Sequence, residues 1–428
     1  MVQLAPPMAP LARSPRQRLF RLLTRLAALI GSSLTLAGCG TAWQPPAVLY
    51  VTVGTNADQT IDAELLREFQ ATLNGLVSGF QRLNPNTTFQ LSIYPEARIL
   101  EALRLRSRAG LGPDLVLVRS EIARQLLEAR LTDPFPATAA QLNALQTHDL
   151  QRLRNRKGEL AGLPLLVQTQ LACFNRSKLA ESPTTIEELL AVSANGVPIG
   201  LPAELGNLFW TAGSLGAIPG LNQAARGKSL NRAEQQGVER WFSWLQNASD
   251  QQWVVFYANQ QAAEGQLSTG QLDWIPCRSS VLPRLRRSLG GRLGVAPLPD
   301  GEAGLASPVN RLRVLALGRN SSRQGRQRAL SFGRFSSNPL TQRDITLGSL
   351  TVLPANRFVR VPVLSSSVLA AMVASSQQGR HDNQLIAMLS GNQARQRQLQ
   401  DITNELVFGQ VTPRTATNQL LRILNEAP

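Results

Sequence analysis

From Val48 to Val53 the chain reads Val-Leu-Tyr-Val-Thr-Val, and so apolar a run predicts a strand covered on both faces, ended by Gly54-Thr55-Asn56. After Asp62 the period changes. Leu65, Phe69, Leu73, Leu76, Phe80 and Leu83 recur at steps of three and four, one stripe of a helix that Asn84-Pro85 stops. Phe89, Leu91 and Ile93 then alternate with polar residues as a strand does. A second helix runs from about Glu96 to Ala109 and closes at Gly110. "GPDLVLVR", Gly112 to Arg119, supplies the next strand, and Glu121 to about Arg130 the next helix. Three strand-helix alternations predict a parallel sheet with helices on both faces, a class that binds ligands beyond the carboxyl ends of its strands.

"ELAGLPLLVQTQLACFN", Glu159 to Asn175, is too long and uniformly extended for one such unit. Strand and helix signals resume at "GVPIGLP" from Gly196, in a Trp-rich helix around Trp241 and Trp244, at "LDWIPC" from Leu272 and at "LGVAPLPDG" from Leu293. Leu312 to Leu317 is extended and leads into a helix carrying Ala329, Phe332 and Phe335. "TVLPANRFV" from Thr351 opens an α-rich tail. No internal repeat or low-complexity block interrupts the order.

The amino terminus has a different pattern. Arg13, Arg16, Arg18, Arg21 and Arg25 precede an apolar run from about Leu26 to Ala37, with no acid among them. That is the order of a secretion signal, and the run is too short for a membrane span, which takes about 20 residues. It ends in Leu36-Ala37-Gly38-Cys39, which resembles the lipobox of bacterial lipoproteins. The resemblance implies a signal peptide over 1–38, acylation of Cys39, a lipidated tether over 39–47, and anchorage at the periplasmic face of the bacterial cell membrane. The proline-bearing start leaves Met8 as an alternative first residue. Cys173 and Cys277 are either a disulfide of an oxidising compartment or two separate buried thiols.

The chain has 428 residues and a net charge of +16, with only three lysines, Lys157, Lys178 and Lys228. A basic chain raises nucleic-acid binding, but the arginines are scattered and no basic run carries interleaved aromatics, so nucleic acid is not an expected partner. Attraction to anionic lipid headgroups is a simpler use of the charge.

In order, "FQRLNPNTTFQL", "GPDLVLV", "ARLTDPFP", "LAGLPLLVQTQLACFN" followed by "PTTIEELL", "LGVAPLPDG" and "LTVLPANRF" make the chain similar to the extracellular solute-binding proteins of ABC importers, the maltose and multiple-sugar type, from about Val48 to Gly409. The resemblance implies an α/β, two-lobe periplasmic-binding-protein fold (type II), each lobe a sheet flanked by helices and joined by hinge strands. The first lobe would take 44–167 and 313–347 and the second 168–312 and 348–428, with hinges near Val167, Leu312 and Leu350. It also implies a monomer without cofactor that captures a small solute, a sugar or sugar-like osmolyte, and delivers it to ABC permease transmembrane subunits. A sensor or envelope scaffold that has left transport is the alternative, and a glycoside hydrolase a more distant one.

Candidate ligand contacts follow from the strand ends. Thr55, Asn56 and Asp58 follow the first strand, and Arg119, Ser120 and Glu121 follow "DLVLV"; each is also an ordinary turn or cap residue. Gln168 and Gln170 come from the hinge. Asn207, Phe209 and Trp210 fall where the family places an aromatic contact, with core packing as the rival role of Trp210. Ser279 and Ser280 either cap the helix bearing Leu282 and Leu285 or offer hydroxyls to the solute. Many sugar binders carry a stacking Trp near Ser279 or Ser280, whereas Trp274 lies upstream within its strand. With aromatics at 5% the composition weakens the carbohydrate expectation, leaving polyols, glycosylated osmolytes and anionic solutes open. Asp114 precedes its strand and reads as structural. His148 and His381 are the only histidines, both in polar surroundings, and with no nucleophile elbow, CxxC or HExxH nothing points to triad or zinc chemistry.

Overall fold

The computed structural model describes residues 47–55, 63–379, 385 and 393–425. Residues 48–428 form one compact unit. Cys39, Asn56, Asp58 and His381 lie outside the described residues.

The strands are β1 (Ala47–Thr55), β2 (Thr87–Pro95), β3 (Leu115–Arg119), β4 (Thr132–Asp133), β5 (Leu163–Gln168), β6 (Gln170–Asn175), β7 (Ile199–Pro202), β8 (Val254–Tyr257), β9 (Trp274–Arg278), β10 (Leu293–Ala296), β11 (Arg311–Gly318) and β12 (Leu353–Pro354). They form two sheets. The first has the order β12-β5-β11-β3-β1-β2, with β4 beside β11, and the second β10-β6-β9-β7-β8. Each is flanked by helices and carries its own core, one built on Leu49, Val53, Phe80, Leu117 and Phe332, the other on Trp210, Trp241, Phe242 and Trp274. This is the expected two-lobe α/β fold.

The hydrophobic pattern explains most elements. Val51, Val53 and Leu115 to Val118 are buried in the first sheet, as unbroken apolar strands require. The helix Ala63–Leu83 buries Leu76 and Phe80, and Phe80 packs edge-on against Phe89, Phe332 and Phe335; Leu83, the last member of the predicted stripe, is exposed. The parallel expectation holds for β1 and β3 but not for the whole sheet. β11 arrives from far along the chain and runs antiparallel to both β3 and β5.

The chain passes from the first sheet to the second at Thr169, between β5 and β6, and returns between β10 and β11. A third passage follows β12, which pairs with β5 in the first sheet, and leads to the helix Ser367–Gln378 packed on β6 and β10. The short stretch around Leu353, placed from sequence with the second lobe, thus pairs within the first.

Cys173 and Cys277 form a disulfide, with Cα atoms 5.7 Å apart, between the adjacent antiparallel strands β6 and β9. Asp114 is structural: it accepts the Tyr50 backbone N–H at 3.0 Å and the Ser321 hydroxyl, pinning the starts of β1 and β3 to the turn after β11. No helix among the described residues is long and apolar enough to cross a membrane.

Candidate functional site

β1 and β3 end side by side at Thr55 and Arg119. Because β11 enters in the opposite sense, Arg313 near its start lies directly across from Arg119. Two guanidiniums side by side at a buried edge need an anion, and Glu96, the first residue of the helix Glu96–Arg108, supplies it. Arg313 Nη1 donates to Glu96 Oε1 at 2.8 Å, the Arg119 backbone N–H to the same oxygen at 2.9 Å, and Arg119 Nε to Oε2. Arg313 Nη2 also donates to the carbonyls of Gly54 at 2.6 Å and Leu117 at 3.2 Å. The glycine is required here, since a Cβ at position 54 would lie 2.6 Å from Glu96 Cγ and 2.9 Å from Val118 Cγ1. Burial pushes the Glu96 carboxyl up, but Arg119 and Arg313 outweigh it and hold the group below its usual range, ionised.

A second buried pair stands beside the first. Ser120 Oγ donates to Glu121 Oε1 at 2.7 Å, and Arg152 Nη2 to the same oxygen at 2.9 Å and to the Asn310 carbonyl at 3.2 Å. Asp149 Oδ1 stands 4.0 Å from Arg152 Nη1 and 3.4 Å from His148 Nε2. Burial raises the Glu121 pKa, and the Arg152 and Arg119 charges with the two hydrogen bonds more than offset this, bringing it to about 2. Through Asn310 this pair is tied to the return passage between the lobes.

The second lobe presents a matching polar edge. Gln170 Nε2 donates to the Asn207 carbonyl at 2.8 Å, and Gln170 Oε1 accepts the Val309 backbone N–H at 3.0 Å. Asn207 Nδ2 donates to Glu204, while Asn207 Oδ1 accepts from Arg278 Nη2 at 3.3 Å. Glu204 also accepts the Gln260 backbone N–H at 3.1 Å. Ser279 stitches this edge to the passage: its N–H donates to the Thr169 carbonyl at 2.8 Å and its Oγ accepts the Thr169 N–H at 3.1 Å.

The structure therefore brings Thr55, Arg119, Ser120 and Glu121 to one sheet edge and Gln170, Asn207, Ser279 and Ser280 to the other, with Gln168 ending β5 opposite Arg311 at the hinge. The Thr55 and Ser280 hydroxyls are buried without a hydrogen-bond partner among the described residues. Phe209 and Trp210 are placed otherwise. Their helix, Leu205–Ser214, lies between β7 and the helices Arg232–Ser249 and Gln393–Val407. Trp210 is 0% exposed with its ring 6.1 Å from that of Trp274, and Phe209 packs edge-on against Trp241. Core packing takes both rings, since residues 207–214 of the helix are all buried. Ser279 caps no helix, since its hydroxyl is already held by Thr169.

Residues 75–360 match the family described as bacterial extracellular solute-binding protein. The chain belongs to that family. Among solved structures, it is similar to the GacH receptor of Streptomyces glaucescens, solved unliganded and with acarbose, at 15% identity and a TM-score of 0.70 over 89% of this chain and 100% of that one. Maltose-bound MalE3 of T. maritima gives 14% identity and a TM-score of 0.66 over 88% and 99%. A cyclo/maltodextrin-binding protein complexed with maltotetraose gives 16% and 0.64 over 90% and 98%. At these identities the likeness shows the fold. No curated protein matches the chain.

In this solute-binding protein the edge residues that the sequence did not single out are Glu96, Arg152, Glu204, Arg278 and Arg313. Glu96 and Arg313 are 217 positions apart, and nothing local marks them as partners. Arg278 directly follows the "LDWIPC" strand and was detectable by the same strand-end rule that nominated Arg119. Among the described residues no group of three or more His, Cys, Asp or Glu is arranged to hold a metal ion.

Proposed function

We propose that this protein captures a small solute, a sugar or sugar-like osmolyte, between its two lobes and delivers it to an ABC permease while held at the periplasmic face of the membrane by an acylated Cys39. The observation that carries the reading is that two polar sheet edges adjoin the strand passages at Thr169 and Asn310, with the 22%-exposed side chain of Arg119 on one edge and the buried Asn207 and Arg278 on the other. The sugar-bound neighbours of the same fold support the solute class. Thr55, Arg119, Gln168, Gln170, Asn207 and Ser280 are the proposed contacts, with Asn56 and Asp58 following Thr55 in the chain; Glu121 and Ser279 hold the scaffold. The Thr55 and Ser280 hydroxyls, without a hydrogen-bond partner among the described residues, suit a polyhydroxylated ligand. A solute touching both lobes stabilises the closed arrangement by its differential affinity for it.

A thermal-shift screen of the chain from residue 40 against sugars, polyols, glycosylated osmolytes, phosphates and amino acids tests this. A ligand at about 100 times its dissociation constant adds roughly 2.7 kcal/mol of stability. The expected result is a rise with one sugar or polyol class, reduced by Arg119→Ala and by Asn207→Ala. A folded protein that no class shifts would instead be the scaffold.

A further inference from the structure

We propose that the first lobe carries a second binding site, for a phosphate ester, at the pole where β1 and β3 begin and β11 ends. A pocket of about 650 Å³ lies there, lined by the end of the helix Ser120–Glu128, by β4, by the turn from Asn155 to Glu159 and by Arg319 just past β11. β11 runs antiparallel to β3 with Leu317 opposite Leu115, so its end and this pocket stand at the starts of β1 and β3, away from the edge that bears Thr55 and Arg119.

The lining is rich in cations. Arg130, Arg156, Lys157 and Arg319 surround the pocket, and none makes an ion pair among the described residues. Of the three acids in the wall, Asp133 is taken by Arg326, which leaves the carboxyls of Glu128 and Glu159, the latter also accepting from Asn155 Nδ2 at 2.7 Å, against four positive charges.

The arrangement is held in place by the backbone. Asn155 Oδ1 accepts the N–H groups of Lys157 at 3.0 Å and Glu159 at 2.9 Å, fixing the turn that presents Arg156 and Lys157. Arg130 adopts φ +56°, a strained conformation for a residue with a side chain, and the Arg319 N–H donates to the Leu131 carbonyl beside it at 3.3 Å. Thr132, 2% exposed, belongs to the pocket wall, and its buried Oγ1 has no hydrogen-bond partner among the described residues.

Three arginines and a lysine lining one pocket suit a phosphate, which takes guanidinium forks and carries more charge, better than a carboxylate, which carries only one charge. The volume exceeds that of a bare phosphate and fits one borne on a larger polar body, such as a lipid headgroup or a sugar phosphate. β1 opens at this same pole with Ala47, eight positions after Cys39, so an acylated Cys39 favours the lipid source; that choice of source rests on the anchored reading, whereas the site does not.

The chain from residue 40 contains the whole compact unit and serves for the test. Calorimetric titration with glycerol phosphate probes the soluble ester, and co-sedimentation with phosphatidylcholine vesicles, with and without phosphatidylglycerol, probes the headgroup. The expected result is binding in at least one arm, weakened roughly tenfold or more by Arg156→Glu with Lys157→Glu, and by Arg319→Ala, and reduced by salt. Arg156 and Lys157 are exposed on a turn, so thermal unfolding of their variant should match wild type. Binding of the soluble ester alone names a solution phosphate, and binding of anionic vesicles alone names the headgroup. No binding in either arm, or binding that the variants leave unchanged, overturns the site.

Discussion

Glu121 is ionised in a place where burial alone would neutralise it, and the ion pair with Arg152 is what keeps it so. Its carboxyl titrates near 4.5 when exposed and near 2 in the fold. A depressed carboxylate contributes stability that is complete above the unfolded value and is lost as pH falls through the folded one, so this contribution, about 3 kcal/mol at most, disappears between about pH 4.5 and 2. Urea unfolding at neutral and acid pH should show a steep loss for wild type. Glu121→Gln, already weakened at pH 7 by roughly 3–5 kcal/mol through the stranded Arg152, should lose less on acidification. Equal acid sensitivity in the two proteins would remove Glu121 from this account. Glu96 acts in the same direction, so some slope remains in the variant. The pairing of these charges was the part least legible from sequence. Strand-end position found Arg119 and Glu121, but a charge cluster assembled from residues 96, 119 and 313 exists only after the sheet has formed. Trp210 shows the converse: an aromatic in the expected segment was absorbed by a core that period alone could not distinguish from a cleft.

Strands and helices were read more faithfully than residues. The apolar runs of β1 and β3 and the three-four stripe before Asn84 are local properties, and the chain obeys them. Strand direction is not local. The antiparallel entry of β11 was missed because no nearby residue encodes which strands it joins. The Cys173–Cys277 pairing was open for the same reason, and the β6–β9 register closed it. Both sulfurs belong to buried residues of a lobe core and close a loop of 104 positions in sequence, so the cross-link restricts the unfolded chain substantially. Replacing both cysteines by serine should lower stability by roughly 2–5 kcal/mol, read as a drop in the urea midpoint. The double variant should also be insensitive to reductant, whereas wild type under reductant moves toward it. An unchanged midpoint would mean that the strands hold without the bond.

At the scale of the whole molecule, three chain passages link the lobes, and the Ser279–Thr169 and Arg152–Asn310 hydrogen bonds brace two of them. Small-angle scattering should therefore record a smaller radius of gyration with a saturating solute than without, as hinge closure demands. A solute that binds with no change in radius would point to a rigid receptor. The sequence disclosed the order of pieces across the whole chain, and with it the family, because order survives where individual side chains drift. The place of β11 has a further consequence. It is a central strand of the first sheet, between β3 and β5, yet it is drawn from residues 311–318. During synthesis, more than 300 residues emerge before the first lobe can complete its sheet, and until then β3 and β5 lack the neighbour that joins them. Late completion keeps the growing chain unfolded for longer, the condition in which a polypeptide can still be threaded across a membrane.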